Sequence, residues 1–140
     1  MSLKNFKSNP SLFQLMDEVK RGAEAVVTVS ENRVLKERVP KGYRVSALDD
    51  FLRSKRTRQE AKLISLAKRA GVPAPLIRHV DPGKGVIEMS HIAGAKLKDV
   101  LNNLDASKRI AVCRTIGTQI GRLHSHHIIH GDLTTSNMIL

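Results

Sequence analysis

The sequence predicts an α+β fold, with an antiparallel sheet packed on one long helix and more helices after it. Three observations predict it. Short β-branched runs, such as Val26-Val27-Thr28-Val29 and Val34 to Val39, are separated by turn residues. A helical pattern from about Ser46 to Ala70 interrupts them. A second helical pattern leads directly into the irregular run His130-Gly131-Asp132-Leu133-Thr134-Thr135-Ser136-Asn137.

Met1 to Pro10 is polar, and residues 1–17 read as an N-terminal extension. Leu12, Leu15, Met16 and Val19 give Ser11 to Lys20 a short helical face, although a strand beginning near Glu18 also fits its end. Gly22-Ala23-Glu24-Ala25 is a turn ahead of the Val26 run. Glu31-Asn32 is a hairpin candidate, and Pro40 closes the strand from Val34. Lys41 to Arg44 is a loop. In the long helix Leu48, Phe51 and Leu52 share a face, continued by Leu63, Ile64 and Ala67, and Gly71 ends it. Thr57-x-x-Glu60 matches a capping box, which predicts a restart of the helix there. Leu76 to Val80 and Gly85 to Ile92 read as strands joined by Asp81-Pro82-Gly83-Lys84. A short helix is expected from Lys96 to Asn103. A longer one runs from Ala106 to His126, with Ile110, Cys113, Ile116, Gly117, Ile120 and Leu123 on one side.

One hundred and forty residues suffice for a domain with a hydrophobic core. No stretch approaches the ~20 apolar residues of a membrane span, and the N-terminus lacks a signal peptide's apolar region. The expected location is cytosolic or nuclear. The lone Cys113 suits a reducing compartment and reads as a small buried helix residue. The 24 Lys and Arg exceed the 13 Asp and Glu, for a net charge of +11. The pI of 10.3 favours phosphate-rich partners such as ATP or RNA over an inert basic surface. Arg53, Lys55, Arg56 and Arg58 form a dense basic run, either a solvated helix face or a tRNA or partner contact. His124, His126, His127 and His130 lack the convergent ligand set of a zinc site.

Asp132 and Asn137, five residues apart after an apolar helix, match a kinase catalytic loop, H-x-D-x-x-x-x-N. The aspartate can orient a hydroxyl and accept its proton. The asparagine can turn back to a magnesium ion. Phosphoryl transfer also requires cations at the phosphates. Lys36, central in its strand, can supply one, with Glu60 on the following helix as its acidic partner.

The chain resembles the small atypical kinase of the KEOPS tRNA-modification complex, the PRPK family. The resemblance spans residues 18 to 140. It rests on Gly22-Ala23-Glu24-Ala25, Lys36-Glu37-Arg38, Pro40-Lys41-Gly42-Tyr43-Arg44, Leu48-Asp49, Arg56-Thr57-x-x-Glu60-Ala61 and Ile129 to Asn137. It implies a protein-kinase-like fold, with a small lobe and hinge over residues 18–92. Residues 93–140 would be an incomplete large lobe, truncated after the catalytic loop. It implies that Gly22, Ala23, Glu24 and Ala25 form a shortened phosphate loop. Lys36 would bind nucleotide phosphates and Glu60 orient it. Met89 would be the gatekeeper, and the backbones of Ser90 and Ile92 would meet adenine. Asp132 would be the base, Asn137 a magnesium ligand, and His130 a brace for the loop.

The same resemblance implies ATP and Mg2+ as cofactors and ATPase or Ser/Thr kinase activity supporting threonylcarbamoyladenosine formation on tRNA. The implied partners are the threonylcarbamoyl-transferase subunit, the small kinase-binding subunit of KEOPS, and tRNA through the complex. Ser90 replaces an acidic residue usual in the family. Thr134 stands where serine/threonine kinases often carry lysine, and a metal-binding aspartate after the loop is missing from the chain. The isolated chain is therefore expected to turn over little ATP. Two alternatives stay open: a catalytically incomplete scaffold that binds nucleotide or a partner, and a small-molecule phosphotransferase.

Overall fold

The computed structural model describes residues 18–140. The predicted helical face at Leu12, Leu15 and Met16 lies outside the described residues. From Glu18 onward the chain is a strand, not the end of a helix. The elements are β1 (Glu18–Arg21), β2 (Ala25–Val29), β3 (Arg33–Arg38), α1 (Ser46–Arg69), β4 (Ile77–Asp81), β5 (Val86–Ser90), α2 (Leu97–Val100) and α3 (Ala106–Ser125). The five strands form one antiparallel sheet in the order β1-β2-β3-β5-β4. α1 lies between β3 and β4 in sequence, and β5 then docks beside β3.

Register decides what faces α1. Val34 pairs with Met89 and Lys36 with Ile87. Residues directly opposite in an antiparallel pair share a face, so all four point the same way. Ile87 and Met89 join Ala61 of α1 in a core that also takes in Val34, Ile64, Ile77 and Val80. Lys36 is thereby carried on the helix-facing side of the sheet, beside apolar residues.

α1 is one unbroken helix of 24 residues. The predicted restart at Thr57 does not occur. Thr57 is fully buried and donates its hydroxyl to the Arg53 carbonyl one turn back, at 2.8 Å. Glu60 is drawn away from any capping role by two cations of β3. The predicted apolar face of the first half is also not the inner one. Leu48 and Phe51 are 51% and 62% exposed. Turned inward instead are Asp49, Arg53, Thr57 and Glu60, followed by Ala61 and Ile64, at spacings of three and four. The N-terminal half of α1 is fixed by charge, and the C-terminal half by apolar packing.

Asp49 anchors the charged half. Its carboxylate accepts from Arg44 at 3.2 Å and from Arg53 at 3.0 Å. Burial pushes its pKa up, but hydrogen bonds from the Lys41 backbone, Arg53 and Arg44 and the Arg53 charge outweigh this and hold it below 3.8. A lowered folded-state value means stabilisation that is complete above the unfolded value and lost as pH falls through the folded one. Thermal melts between pH 2 and 7 are expected to show an acid limb below about pH 4. In Asp49→Asn that limb should be flatter; an unchanged limb would contradict this role.

α1 ends at Gly71, whose φ of +76° is the left-handed conformation of a helix terminus. Here a second core forms. Ala70, Leu123 and Ile128 are buried with Leu63, Leu66, Ala67 and Val72, and Arg122 donates to the Gly71 carbonyl at 2.7 Å. This joins the end of α1 to the end of α3. The start of α3 is capped by Asp105, which accepts from the Lys108 amide at 2.8 Å. Along the predicted apolar side of α3 only Leu123 is buried; Ile110 is 55% exposed. Cys113, expected to be buried, is exposed, because the packing on α3 is concentrated at its C-terminal end.

α2 continues as a 3-10 turn over Leu101–Asn103. The chain end folds back beside α2's entry. Leu97 donates to the Met138 carbonyl at 2.9 Å and Leu140 to the Ala95 carbonyl at 3.0 Å, bracketing a bridge between Lys96 and Ile139. Gly94 makes this approach possible. Its φ is +147°, and a Cβ there would lie 2.5 Å from the Leu140 carbonyl oxygen and 2.6 Å from Ile139 Cγ2. Backbone strain and this clash together are expected to make Gly94→Ala cost about 2–3 kcal/mol in urea unfolding. Amide exchange at Leu97 and Leu140 should rise with it. A cost under about 0.5 kcal/mol would show that the bridge contributes little.

Candidate nucleotide site

The first group of candidate residues sits where β3 meets α1. Lys36 Nζ is 2.6 Å from Glu60 Oε1, with the side chains 29% and 24% exposed. Arg38 Nη2 is 2.6 Å from Glu60 Oε2. Arg38 was part of the Lys36-Glu37-Arg38 segment but had no site role assigned from the sequence. Its signal was present: it lies two residues after Lys36 and so on the same face of β3. Glu60 thus lies between two cations, one turn beyond the buried Thr57.

Gly22-Ala23-Glu24-Ala25 links β1 to β2. The Gly22 amide donates to the Ala25 carbonyl at 2.9 Å, closing the turn. The turn is held from outside by three contacts. Lys41 Nζ donates to the Ala23 carbonyl, Arg56 Nη1 reaches Glu24 Oε2 at 2.9 Å, and the Val39 amide donates to the Glu24 carbonyl at 3.3 Å. Ala25 itself is buried at the start of β2, while Gly22, Ala23 and Glu24 are exposed.

At the far end of β5, Met89 is buried in the first core. Ser90 and Leu76 are tied twice. The Ser90 amide donates to the Leu76 carbonyl at 2.9 Å, and Ser90 Oγ accepts from the Leu76 amide at 2.9 Å. Ser90 therefore fastens β5 to the segment entering β4. The Ile92 amide donates to no group among the described residues, and the residue is 37% exposed.

The second group follows α3. Ile128 is buried and fixes the chain as it leaves the helix. Gly131 has φ +78°, a value that disfavours any side chain. The Asp132 amide donates to His130 Nδ1 at 3.2 Å, so this nitrogen is the unprotonated acceptor of the ring. Asn137 closes the loop. Its Nδ2 donates to the Asp132 carbonyl and to Asp132 Oδ2, both at 3.0 Å. An amide has two N–H donors and one carbonyl oxygen. With both donors committed, Oδ1 is the free end of Asn137, an oxygen of the type that hard divalent cations take.

The structure thus brings Lys36 to Glu60 and Asp132 to Asn137. Among the described residues no hydrogen bond or ion pair joins the two groups. They are related through the second core and the segment from Ser90 to Leu97. The basic run of α1 is heterogeneous. Arg53 is bonded to Asp49 and Asp50, Arg56 to Glu24, and Lys55 lies 5.9 Å from the Phe51 ring centroid. Among the described residues no three His, Cys, Asp or Glu side chains converge as a metal cluster. No helix there is long and apolar enough to cross a membrane.

An antiparallel five-stranded sheet, a strand lysine paired with a helix glutamate, and an H-x-D-x-x-x-x-N loop define the small lobe and first large-lobe elements of a protein-kinase-like fold. Comparison with known proteins narrows this class. The KEOPS complex subunit Bud32 of Pyrococcus abyssi is 42% identical over 135 residues, covering 89% of this chain and 61% of that protein. A probable serine/threonine-protein kinase BUD32 homolog of Archaeoglobus fulgidus is 44% identical over 119 residues, 85% of this chain and 56% of that protein. A probable bifunctional tRNA threonylcarbamoyladenosine biosynthesis protein of Methanoculleus marisnigri is 49% identical over 122 residues, 87% of this chain and 21% of that protein. No family model matches the chain. The chain is thus similar to proteins named Bud32 and to tRNA threonylcarbamoyladenosine biosynthesis proteins, and it spans 61% or less of the length of the three relatives described.

Proposed function

We propose that the chain is the nucleotide-binding part of a KEOPS-type kinase/ATPase that supports threonylcarbamoyladenosine formation on tRNA. The observation that carries this reading is the Lys36–Glu60 pair at 2.6 Å on the helix-facing side of the sheet. Such a pair holds an ammonium ready for nucleotide phosphates.

The residues present fit ATP and Mg2+. Lys36 would bind phosphate oxygens, and the Gly22–Ala25 turn would serve as a shortened phosphate loop beside them. Met89 would limit the depth of an adenine site, where the Ser90 backbone and the unengaged Ile92 amide would meet the base. Asn137 offers Oδ1 to the metal, because its amide donors are committed to Asp132. Asp132 orients the attacking hydroxyl, of water or of a serine or threonine, and accepts its proton. His130 holds the Asp132 amide and with it the loop. When bound, Mg-ATP supplies the transferable phosphoryl group and the charge that screens it.

The partners proposed are the threonylcarbamoyl-transferase subunit and the small kinase-binding subunit of KEOPS. The net charge of +11 favours tRNA near the assembly. The reading is tested by titrating mant-ATP with Mg2+ into the chain. A charge-assisted hydrogen bond contributes about 1.5–3 kcal/mol, so Lys36→Met is expected to weaken binding about tenfold or more. Equal affinity of the two proteins would overturn the reading.

A further inference from the structure

Lys36 and Arg38 leave the same face of β3 and end on the same carboxylate. Glu60 Oε1 receives Lys36 and Oε2 receives Arg38, each at 2.6 Å. The Arg38 side chain is 13% exposed. Its Nε is buried without a partner, so Glu60 is the only side chain that holds this guanidinium among the described residues. The arrangement has a consequence for Lys36. A carboxylate that has given one oxygen to Arg38 has one left for the ammonium. An ammonium carries three donors, so two stay free.

We propose that Arg38 is a positioning residue of the nucleotide site: by occupying Glu60 Oε2, it keeps Glu60 from closing both oxygens on Lys36 and leaves the ammonium open to a phosphate. This rests on the reading of Lys36 as a phosphate ligand. Without Arg38, Glu60 has a single cation in reach and turns both oxygens to it. Its charge is then spent on Lys36, whose attraction for an anion falls. A merely structural Arg38 would act in the opposite direction. It would clamp β3 to α1, and its loss would loosen that seam and expose Lys36.

Trace acetylation with acetic anhydride separates the two, because it reads the availability of each lysine amine by mass spectrometry. The chain, Arg38→Met and Arg38→Lys are labelled side by side, with the exposed Lys62 and Lys98 as internal references. Lys36 in Arg38→Met is expected to label about threefold more slowly, and mant-ATP with Mg2+ to bind about three- to tenfold more weakly, the scale of one nearby charge at a partly exposed site. Arg38→Lys keeps a cation on Glu60 and should stay within about twofold of the parent in both. Faster or unchanged labelling of Lys36 in Arg38→Met overturns the proposal. Should that variant fail to fold by circular dichroism, Arg38→Gln takes its place, with the same readings. If the parent chain does not bind mant-ATP, the nucleotide reading falls and the phosphate role of Arg38 with it. The labelling result then tells that failure apart from a wrong account of how Arg38 and Lys36 share Glu60.

Discussion

Glu60→Ala is expected to destabilise the chain by about 2–4 kcal/mol. Removing one member of a buried ion pair leaves the other charge without compensation, at about 3–5 kcal/mol. Glu60 serves two cations with different access to water. Lys36, at 29% exposed, can turn its ammonium to solvent. Arg38, at 13%, has less freedom, and its Nε already lacks a partner. Most of the cost therefore falls on Arg38, and partial exposure lowers the sum about 1 kcal/mol below that range. A second substitution follows from the same reasoning. Glu60→Ala with Arg38→Leu removes the stranded guanidinium and should recover a large share of the loss, since no buried charge is then left without a partner. Urea unfolding of the three proteins measures both. A cost below about 1 kcal/mol for Glu60→Ala would mean that the contact is not formed in solution.

Asp132→Asn is expected to lower ATP turnover by about 10²- to 10⁴-fold, the range that a positioned general base contributes. The measurement is phosphate release by the protein assembled with the partners proposed above. Asparagine keeps the shape of the side chain, and the backbone carbonyl of residue 132 still accepts from Asn137, as it does at 3.0 Å. Mant-ATP affinity should therefore change by less than about threefold, so that the loss appears in kcat and not in KM. Turnover within about fivefold of the parent would remove Asp132 from the base role.

The strands were legible because β-branched runs and their turns carry strong local signals. β2 and β3 fall where Val26 to Val29 and Val34 to Val39 predicted, and the Asp81 to Lys84 turn joins β4 to β5. Helix lengths followed from periodicity, and α3 ends one residue from its predicted limit. The orientation of α1 was not legible. An apolar stripe is the usual mark of an inner face, and Leu48, Phe51 and Leu52 supplied one. The helix instead docks through Asp49 and Arg53 in its first half and Glu60 just past its middle, and the two carboxylates depend on cations at Arg44 and Arg38 outside the helix. The capping-box pattern at Thr57 misled for the same reason: a local motif yielded to longer-range partners.

The candidate site divides in a similar way. Lys36 with Glu60 and Asp132 with Asn137 were readable from order, spacing and resemblance, and each pair meets in space. Arg38 stood in the Lys36-Glu37-Arg38 segment of the resemblance, which implied no site role for it. Only the register of β3 and the reach of Glu60 bring it into the pair. The Asp81 to Lys84 turn announced that β4 and β5 are neighbours, but the part of the Ser90 hydroxyl in the twofold tie to Leu76 carries no local signal.

The central claim is that Lys36 and the Asp132–Asn137 loop serve one bound nucleotide. Nitrogen-15 and selective lysine NMR during a Mg-ATP titration tests it directly, because the Asn137 side-chain amide and the Lys36 side chain report from the two groups separately. Both signals should shift along one saturation curve with a common Kd, and in Lys36→Met the Asn137 response should move to a Kd about tenfold or more higher. Movement of one without the other, or two distinct Kd values, would contradict a shared site.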